Sequence, residues 1–262
     1  MTRPAGADSN PPADLPIRPA ATVMLVRDAA AGVEVFVLRR VAAMAFAPGM
    51  TVFPGGAVDP ADHDQTVAWA GPDADWWAKQ LHQDPAAARS LVVAAVRELF
   101  EETGVLLAGG ADGAAAEWQP GEQDSRALGD SIRLALIDHR ITLAEALASV
   151  GLHLRADLLR PWANWITPPG RTRRYDTFFF AAALPPGQQA KMLTSEADLG
   201  QWRSPAALFA ERAAGTTALM PPTSAMLTDL AGFATVAEVL AANRVVTPVR
   251  VRVGDFPSFD RG

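Results

Sequence analysis

The chain has 262 residues, 49% of them apolar and 20% charged, with a formal net charge of −6 and no cysteine. That length suits one domain carrying an insertion, with ample material for a core. The lack of cysteine excludes disulfides and thiolate zinc sites, leaving oxygen or histidine as metal ligands. The acidic balance argues against a nucleic-acid polymer as partner, because backbone binding needs clustered positive charge.

Residues 1–19 carry Pro4, Pro11, Pro12, Pro16 and Pro19 with no apolar run, and read as a disordered tail without a signal peptide or membrane span. Ala21 to Val26 and Val33 to Arg40 are branched and apolar around Asp28 to Gly32, which predicts a strand hairpin. Met50 to Phe53 predicts a third short strand, and 60–85 a polar insertion containing Trp76 and Trp77. Residues 86–103 predict a helix, with Leu91, Val92, Val96 and Leu99 at near-helical spacing and Gly104 as a left-handed cap.

Val105 to Ala108 predicts the next strand, followed by a small-residue loop over 109–121. Helices are expected at Ser131 to His139 and Thr142 to Val150, and strands at Leu158 to Ile166 and Tyr175 to Ala183. Helices at Leu208 to Ala214, Ser224 to Ala231 and Val236 to Ala242 form a helical C-terminal part, and 246–262 reads as a second tail. This order of strands and helices over 20–245 does not contradict an α/β architecture with a mixed sheet between helices.

The run Arg97-Glu98-Leu99-Phe100-Glu101-Glu102-Thr103-Gly104-Val105 packs three of the chain's ten glutamates into five residues. On a helix, positions 98, 101 and 102 share one face, so their carboxylates reach a common point. Like charges held so close favour a hard cation such as Mg²⁺, which takes oxygen ligands and can also hold a substrate phosphate. Five fixed positions in this order arise by chance in roughly a few of every ten thousand chains this long.

These residues resemble the signature helix of the Nudix hydrolases, whose box reads Gly-x5-Glu-x7-Arg-Glu-U-x-Glu-Glu-x-Gly-U, with U apolar. The second half matches at every fixed position. Phe53-Pro54-Gly55-Gly56-Ala57-Val58-Asp59 looks like the strand and Gly-Gly turn that enter the box, which makes Gly56 the leading glycine and puts Asp62 at the first glutamate's position. Gly56 and Arg97 are 41 residues apart where the box allows 14, leaving 41 − 14 = 27 inserted residues. The insertion, the run Ala47 to Gly56 and Trp165-Ile166-Thr167-Pro168 are similar to the branch of the peroxisomal coenzyme A diphosphatase.

The resemblance implies an α/β/α sandwich and a metal-dependent hydrolase of a nucleoside diphosphate linked to another group. Its expected metal is Mg²⁺ or Mn²⁺, held by Glu98, Glu101, Glu102 and Glu196, the last being a loop glutamate before Trp202. Glu196 or a helix glutamate would accept the proton of the attacking water, with Arg97 orienting the carboxylates through Asp62 or a neighbouring glutamate. Coenzyme A or its acyl esters are the expected substrates, giving 3′,5′-ADP and a phosphopantetheine. NADH, ADP-ribose and dinucleoside polyphosphates are the alternatives, as is a domain that senses a nucleotide without cleaving it.

Arg171, Arg173 and Arg174 concentrate positive charge in an acidic chain and, with Gly55 and Gly56, are candidates for holding the phosphates. Asp198 is the alternative to Glu196. Tyr175 and Phe178 could stack a base or lie in a strand's core, and Trp76-Trp77 could form an adenine or pantetheine platform or cover the insertion's own apolar surface. The four histidines lack metal-ligand spacing. Arginine outnumbers lysine 21 to 2, pointing to a GC-rich bacterial genome and a cytoplasmic location. The expected partner is a small molecule, with no membrane and a homodimer as the open quaternary option.

Overall fold

The computed structural model describes residues 16–44, 47–110, 123–171 and 173–250, with backbone alone for 123–127. In chain order the strands and helices are β1 (Ile17–Ala29), β2 (Gly32–Arg40), β3 (Met50–Val52), β4 (Gly55–Ala57), β5 (Trp69–Ala70), α1 (Ala74–Leu81), α2 (Pro85–Thr103) and β6 (Ala108–Gly109). There follow α3 (Gln123–Ile137), α4 (Leu143–Ser149), β7 (His153–Arg155), β8 (Leu159–Ile166), β9 (Arg174–Ala183) and β10 (Ala197–Arg203). The described part closes with α5 (Pro205–Ala213), β11 (Ala218–Leu219), α6 (Pro221–Leu230), α7 (Val236–Ala241) and β12 (Pro248–Arg250). No described helix is long and apolar enough to cross a membrane.

The main mixed sheet runs β11-β3-β2-β1-β9-β8-β12, with β10 on β2 and β4 on β1. Its central strands are buried on both faces, which explains their continuous apolar runs. Ala21, Val23 and Leu25 of β1 join Phe178 and Phe180 of β9 in the core beneath α1 to α4. Met24, Val26, Phe179 and Ala181 face the other way, against Leu208, Met226, Leu227 and Val239 of α5 to α7. The result is a sheet between two helical layers.

One departure from regular pairing positions the site. β1 pairs in parallel with β9 from Ile17 to Val26, but its other edge is divided. Val26 to Ala29 pair with β2, whereas Ala20 to Thr22 pair with β4. β2 leaves β1 beyond Val35, and its Leu38 and Arg39 pair with β3 instead. The chain from β3 to β4 therefore fills a fork between the two strands, and the Pro54 carbonyl accepts the Val23 N–H at 2.9 Å.

α2 begins where Asp84 caps the Ala87 N–H and Pro85 opens the first turn, and it ends at Gly104 with φ +74°. Before it, the insertion makes a 3₁₀ turn at Pro60–His63, then β5 and α1. Trp77 of α1 is fully buried and meets Phe180 edge-on at 5.8 Å, with Trp76 at 4.9 Å from Trp77. The insertion thus covers its own apolar surface and the sheet's. Trp77→Ala should cost about 3–5 kcal/mol of stability, read as a lowered urea midpoint with unchanged slope.

The structure shifts several boundaries. β1 starts at Ile17, inside the expected tail, and β12 occupies 248–250 of the other; residues 1–15 and 251–262 lie outside the described residues. The strand expected from Val105 is the two-residue β6 at Ala108, and most of the loop expected over 109–121 lies outside the described residues. The segment read as a loop before Trp202 is β10, whose Gly200 and Asp198 have poor strand propensity but whose backbone pairs with β2.

Candidate functional site

α2 and the β3–β4 turn build the site together. Gly55 donates its N–H to Glu102 Oε2 at 2.9 Å, holding that carboxylate under the turn. A Cβ on Gly55, whose φ is +155°, would fall 2.4 Å from the Ala21 carbonyl oxygen, and one on Gly56 would fall 2.4 Å from Glu98 Oε1. Both positions need glycine because backbone and carboxylates approach so closely.

Behind the glutamates lies Arg97, 8% exposed. Its Nε and Nη2 donate to the two oxygens of Asp62 at 2.8 and 2.9 Å, and Nη2 also reaches the Ala57 carbonyl at 3.1 Å. Nη1 donates to Glu98 at 2.9 Å and to Glu101 at 3.3 Å. Asp62 is buried and accepts the Asp59 N–H within the 3₁₀ turn. The expected Arg97 pairing with Asp62 is present, and so is the alternative pairing with neighbouring glutamates. The insertion's first turn brings the shorter carboxylate into reach.

These groups line a cleft of about 730 Å³. Glu196 enters it from the turn before β10 and pairs with Arg40 at 3.1 Å, whereas Asp198 pairs with Arg39 at 2.7 Å and does not line the cleft. Of the three loop arginines, Arg173 lines the cleft; Arg171 and Arg174 do not, and Arg174 donates to the Thr167 carbonyl. Phe178 is core, while Tyr175, read as a core candidate, lines the cleft beside Trp165. Of the insertion, only Pro60 lines the cleft.

Sequence reasoning missed Arg18, Arg40, His139 and the apolar Leu134 and Ile137 of α3, all of which line the cleft. His139 stands at φ +51°, just past the end of α3. Once β1 is seen to begin at Ile17, Arg18 shares the face of Ala20 and Thr22 by strand alternation.

A family model described as NUDT19 Nudix domain matches residues 78–230, more than half of the chain. The chain belongs to the Nudix family. It is 31% identical over 198 residues, 75% of its length, to the Caenorhabditis elegans protein named "Putative nudix hydrolase 7", and spans 55% of that protein. A solved structure titled as a NUDIX hydrolase from Alicyclobacillus acidocaldarius superposes with a TM-score of 0.70 at 28% identity, covering 88% of this chain and 98% of that one. The sandwich is thus an α/β Nudix fold, and α2 is its Nudix helix.

Burial penalises the helix charges. Glu98 is pushed up to about 7 by burial, with Glu101 and Asp62 adding to the rise and Arg97 opposing it. Burial likewise raises Glu101, and raises Glu102 well above the ordinary range, where Glu98 and Glu196 add and the Gly55 N–H and Arg40 oppose. Because the folded chain holds protons here that an unfolded one has released, these glutamates weaken the fold least at low pH. Their contribution to stability falls as pH rises from the ordinary glutamate value of 4.5 through about 7. In EDTA, the Nudix chain should melt higher near pH ~5.5 than near pH ~8, with Glu98 contributing on the order of 2 kcal/mol to the difference. Mg²⁺ should narrow the gap, and thermal melts at matched ionic strength check this.

Among the described residues, no three His, Asp or Glu side chains converge closely enough to hold an ion as their rotamers stand. Glu98 and Glu101 turn to Arg97, and Glu102 to Gly55. The donor chemistry nevertheless fits a hard divalent cation. All the donors are carboxylate oxygens, and their shared burial and repulsion are what a cation would relieve.

Proposed function

We propose that this Nudix chain hydrolyses the diphosphate bond of a nucleoside diphosphate joined to a second group. The observation that carries the reading is the trio Glu98, Glu101 and Glu102 lining a nucleotide-sized cleft, Glu102 buried and the other two partly exposed, with Arg97 fixed behind them. Glu98, Glu101, Glu102 and Glu196 would hold Mg²⁺ or Mn²⁺. When bound, the ion supplies charge neutralisation at the phosphates and a lowered pKa for water.

The chain's own residues supply the rest. Arg97 keeps Glu98 and Glu101 in register with the turn, and the Gly55 N–H orients Glu102. Glu196, half-exposed at the cleft wall, takes the proton of the water that attacks phosphorus. The P–O–P bridge then breaks, giving a nucleoside monophosphate and a phosphorylated remainder. Arg173, which lines the same cleft, would meet the substrate's anionic groups.

Coenzyme A and its acyl esters are the proposed substrates. Support comes from the run Ala47 to Gly56, the split box, and the match to a family model described as NUDT19 Nudix domain. Both named relatives carry the word hydrolase. A nucleotide sensor is the second reading, favoured by the hold of Arg97 on Glu98 and Glu101. The test incubates the chain with Mg²⁺ or Mn²⁺ and coenzyme A, acetyl-coenzyme A, NADH, ADP-ribose or diadenosine tetraphosphate, with products weighed by mass spectrometry. Release of 3′,5′-ADP from coenzyme A is expected; turnover of none of the five would overturn the hydrolase in favour of the sensor.

A further inference from the structure

The cleft has a wall that the chemistry above does not use. On it, Arg18, Ala20 and Thr22 of β1 stand in parallel register with Tyr175, Thr177 and Phe179 of β9. Thr22 also pairs with Gly55, the residue that holds Glu102. Thr22 therefore marks the carboxylate end of the wall. Arg18 lies four residues away, about 13 Å along the strand at ordinary strand rise.

That far end carries an unusual charge. Most described arginines of this chain are tied: Arg27 to Glu34, Arg39 to Asp198, Arg155 to Asp157, Arg203 to Glu211 and Arg244 to Asp229. Arg18 and Arg173 both line the cleft, and neither side chain has a hydrogen-bond or ion-pair partner among the described residues. The acidic group nearest in the strand ladder is Asp176, opposite Pro19, which alternation puts on the other face of the sheet, where it accepts from Asn164. Beside the arginines stand two aromatic rings, Tyr175 and Trp165.

Two guanidiniums and two rings, set one strand-length from the carboxylates, match a nucleoside bearing a second anionic group away from its diphosphate. We propose that Arg18, with Arg173, forms a subsite for a phosphomonoester on the substrate's ribose, with Tyr175 and Trp165 flanking the base. This rests on the hydrolase reading for its substrate and goes beyond it in assigning a residue that selects among diphosphates. Arginine grips phosphate oxygens in pairs, whereas a hydroxyl offers the fork little. The subsite therefore separates coenzyme A from dephospho-coenzyme A, and from NADH or ADP-ribose.

The test is calorimetric binding of 3′,5′-ADP, 2′,5′-ADP and AMP to the full chain in metal-free buffer at fixed ionic strength. Wild type should bind 3′,5′-ADP about tenfold or more tightly than AMP, and Arg18→Ala should bring that ratio close to one, with Arg18→Lys between. A preference for 2′,5′-ADP equal to that for 3′,5′-ADP supports the subsite as a reader of either ribose phosphate. No preference over AMP in wild type, or a preference untouched in Arg18→Ala, overturns it. A preference that vanishes in Arg18→Ala while no diphosphate is cut would keep the subsite and discard the hydrolase.

Discussion

Glu102→Gln should reduce metal-dependent turnover by about a thousandfold or more, while the folded chain becomes easier to keep. Glutamine retains an oxygen that can accept the Gly55 N–H, so the turn keeps its anchor. What disappears is a buried negative charge that Glu98 and Glu196 both repel. The metal-free variant should accordingly melt above wild type near pH ~8 and match it more nearly near pH ~5.5, closer to the ordinary glutamate range, because burial favours the protonated form of the wild-type group. Steady-state rates with Mg²⁺ and melts in EDTA decide it. Lost activity with a lowered melting point would mean a damaged fold, and unchanged activity would remove Glu102 from the chemistry.

Arg97→Ala should damage the fold about as much as the loss of Trp77, and the site with it. It strands Asp62, 1% exposed, without its bidentate partner and leaves Glu98 and Glu101 facing each other without a cation. Breaking one side of a buried pair typically costs about 3–5 kcal/mol. The double variant Arg97→Met with Asp62→Leu removes both charges and should recover most of that loss in urea denaturation. Its activity should not recover, because Glu98 and Glu101 then lack the group that holds them against the turn. Recovery of both stability and activity would show that Arg97 serves only the core.

The legible parts of this molecule were those written locally. Proline and aspartate at the start of α2, apolar spacing along it and Gly104 beyond it each act within a turn or two, and the observed helix, Pro85–Thr103, matches the expected one within a residue. Asp62 was readable because the box's spacing points at it even across the insertion. The far wall of the cleft was not. Arg18 looked like part of a proline-rich tail, and only pairing with β9, more than 150 residues away, makes it strand. β10 was hidden for the same reason: Gly200 and Asp198 argue against a strand, and its partner β2 overrides them. Strands of two or three residues such as β5, β6 and β11 hold too few side chains for any period to register.

The bond between Arg97 and Asp62 also explains how a catalytic signature can be split without being lost. Both halves are pinned, one by the Gly55–Glu102 contact and the other by that ion pair, so the intervening chain is a loop with closed ends. The entropy of closing such a loop grows only with the logarithm of its length. Stretching the Gly56-to-Arg97 interval from 14 to 41 residues costs about 1 kcal/mol. One buried indole from the inserted helix can offset that sum. Length at this point is nearly neutral, and so it is a place where a Nudix chain can acquire new surface while its carboxylates stay where they were.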